Sequence, residues 1–88
     1  MTINSPTDSE TVALAALAAT LSDERRATRF LSITGLSPDG IRGALGDRRT
    51  LAACLAFLEN HEPDLLAVAE AIGVKPEAII AARAELEA

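Results

Sequence analysis

The 88-residue chain has no tryptophan and no tyrosine, one cysteine and one histidine. Each scarcity excludes something. With only Phe30 and Phe57 as aromatics, most of the platform on which proteins stack unpaired bases is missing. A lone cysteine, Cys54, allows neither an intramolecular disulfide nor a thiolate metal cage. It lies in the most apolar stretch of the chain, which points to an inert core thiol. His61-Glu62 matches half of the zinc-protease pattern H-E-x-x-H, but Leu65 stands where the second histidine would be, so a zinc site lacks ligands. No Ser-His-Asp set, glycine-rich phosphate loop or evident carboxylate pair is present. The expectation is a protein that is not an enzyme, with no catalytic, cofactor-binding or metal-binding residues and no cofactor. Three Val and six Ile, rarely alternating with polar residues, are too few to build a sheet. Apart from the central stretch described next, the longest apolar run is Val12 to Leu21, too short to span a bilayer. Met1-Thr2-Ile3-Asn4-Ser5-Pro6 has neither the charged nor the apolar region of a signal peptide. A cytoplasmic protein with no membrane partner is expected.

What the chain does have is leucine and alanine, twelve and eighteen of them. They concentrate in Thr50-Leu51-Ala52-Ala53-Cys54-Leu55-Ala56-Phe57-Leu58. Leu51, Cys54, Leu55 and Leu58 follow i, i+3, i+4, i+7, one stripe of a helix. Ala52, Ala53, Ala56 and Phe57 fill most of the remaining circumference, and a helix apolar all round is a buried one. The expectation is an all-α fold: a compact bundle of five or six short helices around this buried central helix, with residues 1–8 a flexible N-terminus and 9–88 a single domain.

Caps and breakers place the other helices. The first runs from about Ser9 to Leu21, with Leu14, Leu17, Ala18 and Leu21 as its expected inner face. Ser22 is expected to cap a second helix carrying Asp23 and Glu24 in its first turn, with Ala27, Phe30, Leu31 and Thr34 inward and Gly35 as terminator. Ser37-Pro38 opens a third, in which Ile41, Ala44 and Leu45 are the apolar contacts. Gly46 ends it, and Asp47 caps the central helix, which continues to about Asn60. His61-Glu62-Pro63 marks a break. A fifth helix covers Asp64 to Ile72 with Leu65, Leu66, Val68, Ala69 and Ile72 inward, and Gly73 stops it. Pro76-Glu77 starts the sixth, which reaches about Glu87.

Gly35-Leu36-Ser37-Pro38-Asp39-Gly40-Ile41 and Gly73-Val74-Lys75-Pro76-Glu77-Ala78-Ile79 share a pattern: stop, aliphatic staple, proline restart, acid at the new N-terminus. Two helix-turn-helix-like corners follow, better explained as one local joint used twice than as a duplication. The second corner has the spacing of a DNA-binding motif, but its last helix carries one base against three acids, the wrong charge for a phosphate backbone.

The net charge is −5, which disfavours nucleic acid as a partner. The bases are nonetheless gathered: residues 25–49 hold Arg25, Arg26, Arg29, Arg42, Arg48 and Arg49 against Asp39 and Asp47 only. Arg29 has no acid at i±3 or i±4, so it is solvated, paired across the fold, or used on a partner. Arg25, Arg29, Arg42, Arg48 and Arg49 form the candidate interaction patch. The functional expectation is a non-catalytic protein-interaction or self-associating module, binding another protein or a second copy. The alternative is a helix-turn-helix-like DNA-binding regulator that uses the basic middle segment.

Arg29-Phe30-Leu31, Thr34-Gly35-Leu36, Ile41-Arg42, Phe57-Leu58, His61-Glu62, Leu65-Leu66-Ala67, Gly73 and Pro76 together resemble a family of short all-helical alphaproteobacterial proteins classed as a domain of unknown function. The resemblance spans about residues 10–84. It implies a compact helical fold in a bacterial cytosolic protein and carries no assigned activity. The chain departs from the family's pattern at Arg49-Thr50, where the family has Pro and Phe, and near Val68, where it has an aromatic.

Overall fold

The computed structural model describes residues 8–43 and 45–88, and within them the backbone forms six helices and no strand. These are α1 (Ser9–Leu21), α2 (Glu24–Thr34), α3 (Pro38–Gly43), α4 (Arg48–Glu59), α5 (Glu62–Ile72) and α6 (Pro76–Glu87). The expectations for residues 1–7 and for Ala44 lie outside the described residues.

The central helix α4 packs against α6, α1, α5 and α2. Thr50, Leu51, Ala52, Cys54, Leu55, Phe57 and Leu58 are all buried, Ala56 is partly buried, and Ala53 alone of the apolar stretch is exposed. Asp47 holds its N-terminus, its carboxylate accepting the Arg49 N–H at 3.0 Å, which satisfies one of the donors a helix start leaves unpaired. α2 meets α4 through Phe30 and Phe57, edge to face with ring centroids 5.3 Å apart. α6 buries Ile79, Ala82 and Leu86.

Three local expectations are corrected. Asp23, not Ser22, caps α2: its carboxylate accepts the N–H groups of Arg25 at 2.9 Å and Arg26 at 3.1 Å. Those bonds, the Arg26 one foremost, hold its pKa below the usual carboxylate value. Ser22 instead ends α1, donating its N–H to Ala18 O at 3.0 Å. α5 starts at Glu62, because proline is tolerated in a first turn where its missing N–H costs nothing. Leu66 points outward, 48% exposed. Leu65 and Leu66 are 100° apart on the helix, and α5 turns Asp64, Leu65, Val68 and Ala69 inward.

The two corners have the expected joint of three residues, each begun by a left-handed glycine, Gly35 at φ 74° and Gly73 at φ 75°. They close differently. Gly35 N–H bonds Leu31 O at 2.9 Å, a single five-to-one closure, whereas Val74 N–H reaches Ala69 O at 3.0 Å, a six-to-one Schellman closure. Leu36 and Val74 both pack against the core as staples. Ser37 caps α3 through its hydroxyl, which accepts the Gly40 N–H at 2.9 Å.

Candidate functional site

α1 is apolar around nearly its whole circumference, so more than one face could enter the core. The buried face is the small-residue one: Ser9, Val12, Ala13, Ala16, Leu17 and Thr20. Ala13 and Ala16 are wholly buried, and their short side chains let α1 lie close on α4 and α6. The expected inner face is therefore corrected. Leu17 is buried, but Leu14 and Leu21 stay 43% and 37% exposed, and Ala18 is exposed with them.

These outward residues form one wall of an open groove of about 540 Å³. Ala27 and Leu31 of α2 form the second wall, and Pro38, Ile41 and Arg42 of α3 the third, with Leu45 beyond α3 at the edge. Leu45 is 41% exposed. Ile41 is the one buried side chain of α3, so this short wall is attached to the body by a single apolar anchor. Among the described residues no carboxylate lines the groove, and the one charged lining residue is Arg42. Arg42 is itself exposed and donates to Asp39 Oδ1 at 2.7 Å, one turn back on the surface. Such an exposed pair contributes little. The groove has the size and character of a small binding site, and it can take apolar side chains together with a carboxylate.

The five arginines of the candidate patch do not gather into one cluster; only Arg25 and Arg29 share a cleft. Arg25 and Arg29 border a cleft of about 220 Å³ with Asp23, Arg26, His61 and Asp64. There Arg29 donates to the carboxylate of Asp64, a residue buried in the first turn of α5. A carboxylate in that position also meets the positive end of the α5 dipole. His61 Nε2 stands 3.9 Å from the same carboxylate. Arg26 donates to Ala19 O at 2.9 Å, near the end of α1. Arg42 is on the groove wall. Arg48 lies at another junction, donating to Glu85 O of α6 at 3.1 Å and standing 3.6 Å from Glu10 of α1. Arg25 and Arg49 are exposed with no ion pair among the described residues. Arg83, outside the patch, is held between Glu59 and Glu87, and its hydrogen bond to Glu59 raises its pKa.

Cys54 sits at the centre of the core beside Thr20, whose hydroxyl is 3.9 Å from its sulfur while donating to Ala16 O at 2.7 Å. Burial pushes its pKa up to about 12, so the nucleophilic thiolate is suppressed. Among the described residues no group of three His, Cys, Asp or Glu side chains could hold a metal ion. Nor is any described helix long and apolar enough to cross a membrane.

The class these features define is a small all-helical bundle with a leucine-lined groove on one flank. The chain belongs to the family described as "Protein of unknown function (DUF3572)", whose model matches residues 6–88. No curated protein and no solved structure matches it.

Proposed function

We propose that the protein is a non-catalytic interaction module of the cytosol whose docking surface is the groove between α1, α2 and α3. The observation that carries this reading is that Leu14, Leu21 and Leu45 stay 43%, 37% and 41% exposed around one concave surface that no described carboxylate lines. Clustered exposed leucines mark a contact surface, whereas isolated ones need no explanation. Of the patch read from the sequence, Arg42 belongs to this surface. DNA binding through the basic segment would first have to take Arg29 from the mostly buried Asp64, whereas the groove's Arg42 is held only by an exposed pair with Asp39.

The test compares the full chain with Ala18→Arg, which places a long side chain across the groove from an exposed helix position. The expected result is a bound protein or self-associated species, seen by affinity capture and light scattering, that the variant loses while its thermal midpoint is unchanged. Identical behaviour of the two chains would refute the reading.

A further inference from the structure

Beyond that reading, we infer that α3 is a hinged flap on the groove, which unlatches from the body while the rest of the chain stays folded. The device belongs to the free chain and does not depend on what the groove accepts.

Its limits are set by what ties the chain down on either side. Leu36 packs against the core, and its N–H donates to the Thr34 hydroxyl at 3.3 Å. On the far side Asp47 caps α4, which is buried along most of its length. Between these two points Ile41 is the one buried side chain among the described residues. The other residues of α3, on both sides of Ile41, are exposed.

No polar bond supplements that anchor. Among the described residues, the hydrogen bonds of α3 and its cap stay within the segment. Ser37 Oγ accepts the Gly40 N–H at 2.9 Å, Ser37 O accepts the Ile41 N–H at 2.9 Å, and Arg42 pairs with Asp39. No other helix packs broadly on α3. The remaining joints are tied more firmly: Arg29 to Asp64 between α2 and α5, and Arg83 to Glu59 between α6 and α4. A region with so few buried apolar contacts opens locally, well below the cost of unfolding the whole chain.

Once released, α3 does not persist as a helix. Six residues are too few to hold a helix alone in water, and Gly40 and Gly43 each weaken it by about fivefold against alanine. Unlatching and unwinding are therefore one event. That event removes the wall of Pro38, Ile41 and Arg42 and leaves the α1 and α2 walls joined as a wider apolar face. The groove thus has two widths, and one isoleucine sets the balance between them.

Native-state amide hydrogen exchange of the full chain tests this, with the N–H at position 41 compared with that of Leu55 in α4. After correction for intrinsic rates, position 41 should exchange at least about a hundredfold faster and depend little on low urea, whereas Leu55 should follow global unfolding. Ile41→Ala removes the latch, so the backbone chemical shifts of residues 38–43 should move to coil values while those of α1 and α4 stay helical. Exchange at position 41 with the rate and urea dependence of Leu55 would show that α3 opens only with the whole chain, and the flap would be overturned. An Ile41→Ala chain in which α3 stays helical, or in which α1 and α4 are lost together with it, would overturn it as well. Neither measurement involves a bound protein, so failure of the docking reading leaves the flap untouched, and the reverse.

Discussion

Cys54 gives the most direct physical check on the core. Its side chain is wholly buried in α4, and desolvation raises its pKa from an ordinary 9.0 to about 12, against a smaller opposing contribution from the Thr20 hydroxyl. Below pH 9 the thiol is protonated whether the chain is folded or unfolded, and its contribution to stability is fully present. Between pH 9 and 12 only the unfolded chain releases the proton, so stability falls by about 1.4 kcal/mol per pH unit. The total, about 4 kcal/mol by pH 12, is a large part of the ~5–15 kcal/mol that holds a small domain together. Little else obscures it, because the chain has no tyrosine and Lys75 is its one lysine. Urea unfolding of the full chain and of Cys54→Ala, from pH 8 to 11, reads the effect. The variant loses about 1 kcal/mol at pH 8 from the small void and then lacks the thiol's alkaline decline. The two curves should converge near pH 10 and cross above it. Curves that stay parallel through pH 11 would show that Cys54 meets solvent, and that α4 is not enclosed as described.

Leu55→Ala, at a fully buried position on α4, should cost about 2–5 kcal/mol in urea unfolding; a loss below 1 kcal/mol would contradict the central place of that helix. Arg29→Ala leaves the Asp64 carboxylate unpaired where it is mostly buried and should cost about 1–3 kcal/mol, discounted because Arg29 is partly exposed. The double variant with Asp64→Asn should lose less than the sum of the two single losses, and additivity would deny the pair. Gly73→Ala meets no neighbouring atom, so its expected cost of about 1–2 kcal/mol is that of the left-handed backbone alone. Gly43→Ala, at the end of α3 with equally open space and no positive φ, should be neutral or stabilising by up to about 1 kcal/mol. The two alanine variants are compared by thermal melting, and equal shifts would refute the assignment of the turn.

The sequence spoke most clearly where one physical demand acted alone. The run from Leu51 to Leu58 is apolar on nearly every side, and a helix of that kind has no place but the interior. Glycine followed three residues later by proline fixed both corners, because few backbones satisfy that pair of restrictions. It was ambiguous where two residues met the same demand. Ser22 and Asp23 are both good caps, and the choice fell to the one whose carboxylate reaches two N–H groups. Leu65 and Leu66 are equally apolar, and the inward position of Asp64 opposite Arg29 selects Leu65. The pairing of Arg29 lies 35 residues away in the chain, beyond any reading of helical neighbours. The groove was hidden for a related reason: α1 carries leucine or alanine on so many sides that periodicity could not say which face turns in.

The choice α1 makes bears on function. Burying a leucine fully contributes about 1.5–3 kcal/mol, so leaving Leu14, Leu21 and Leu45 about two-fifths exposed forgoes roughly 2 kcal/mol in all. That is a noticeable fraction of a small domain's stability. The core does not need those side chains where they are. Ala13, Ala16 and Thr20 make the close approach to α4 that encloses Cys54 and Leu55, and a polar residue at position 14 or 21 would complete an ordinary amphipathic helix. A surface shaped by folding alone would carry such residues. The leucines gain their missing burial only when something apolar enters the groove. An apolar occupant would return the stability that the isolated fold forgoes, whereas the arginine cleft is already satisfied by Asp64, which is why the groove is the surface to test first.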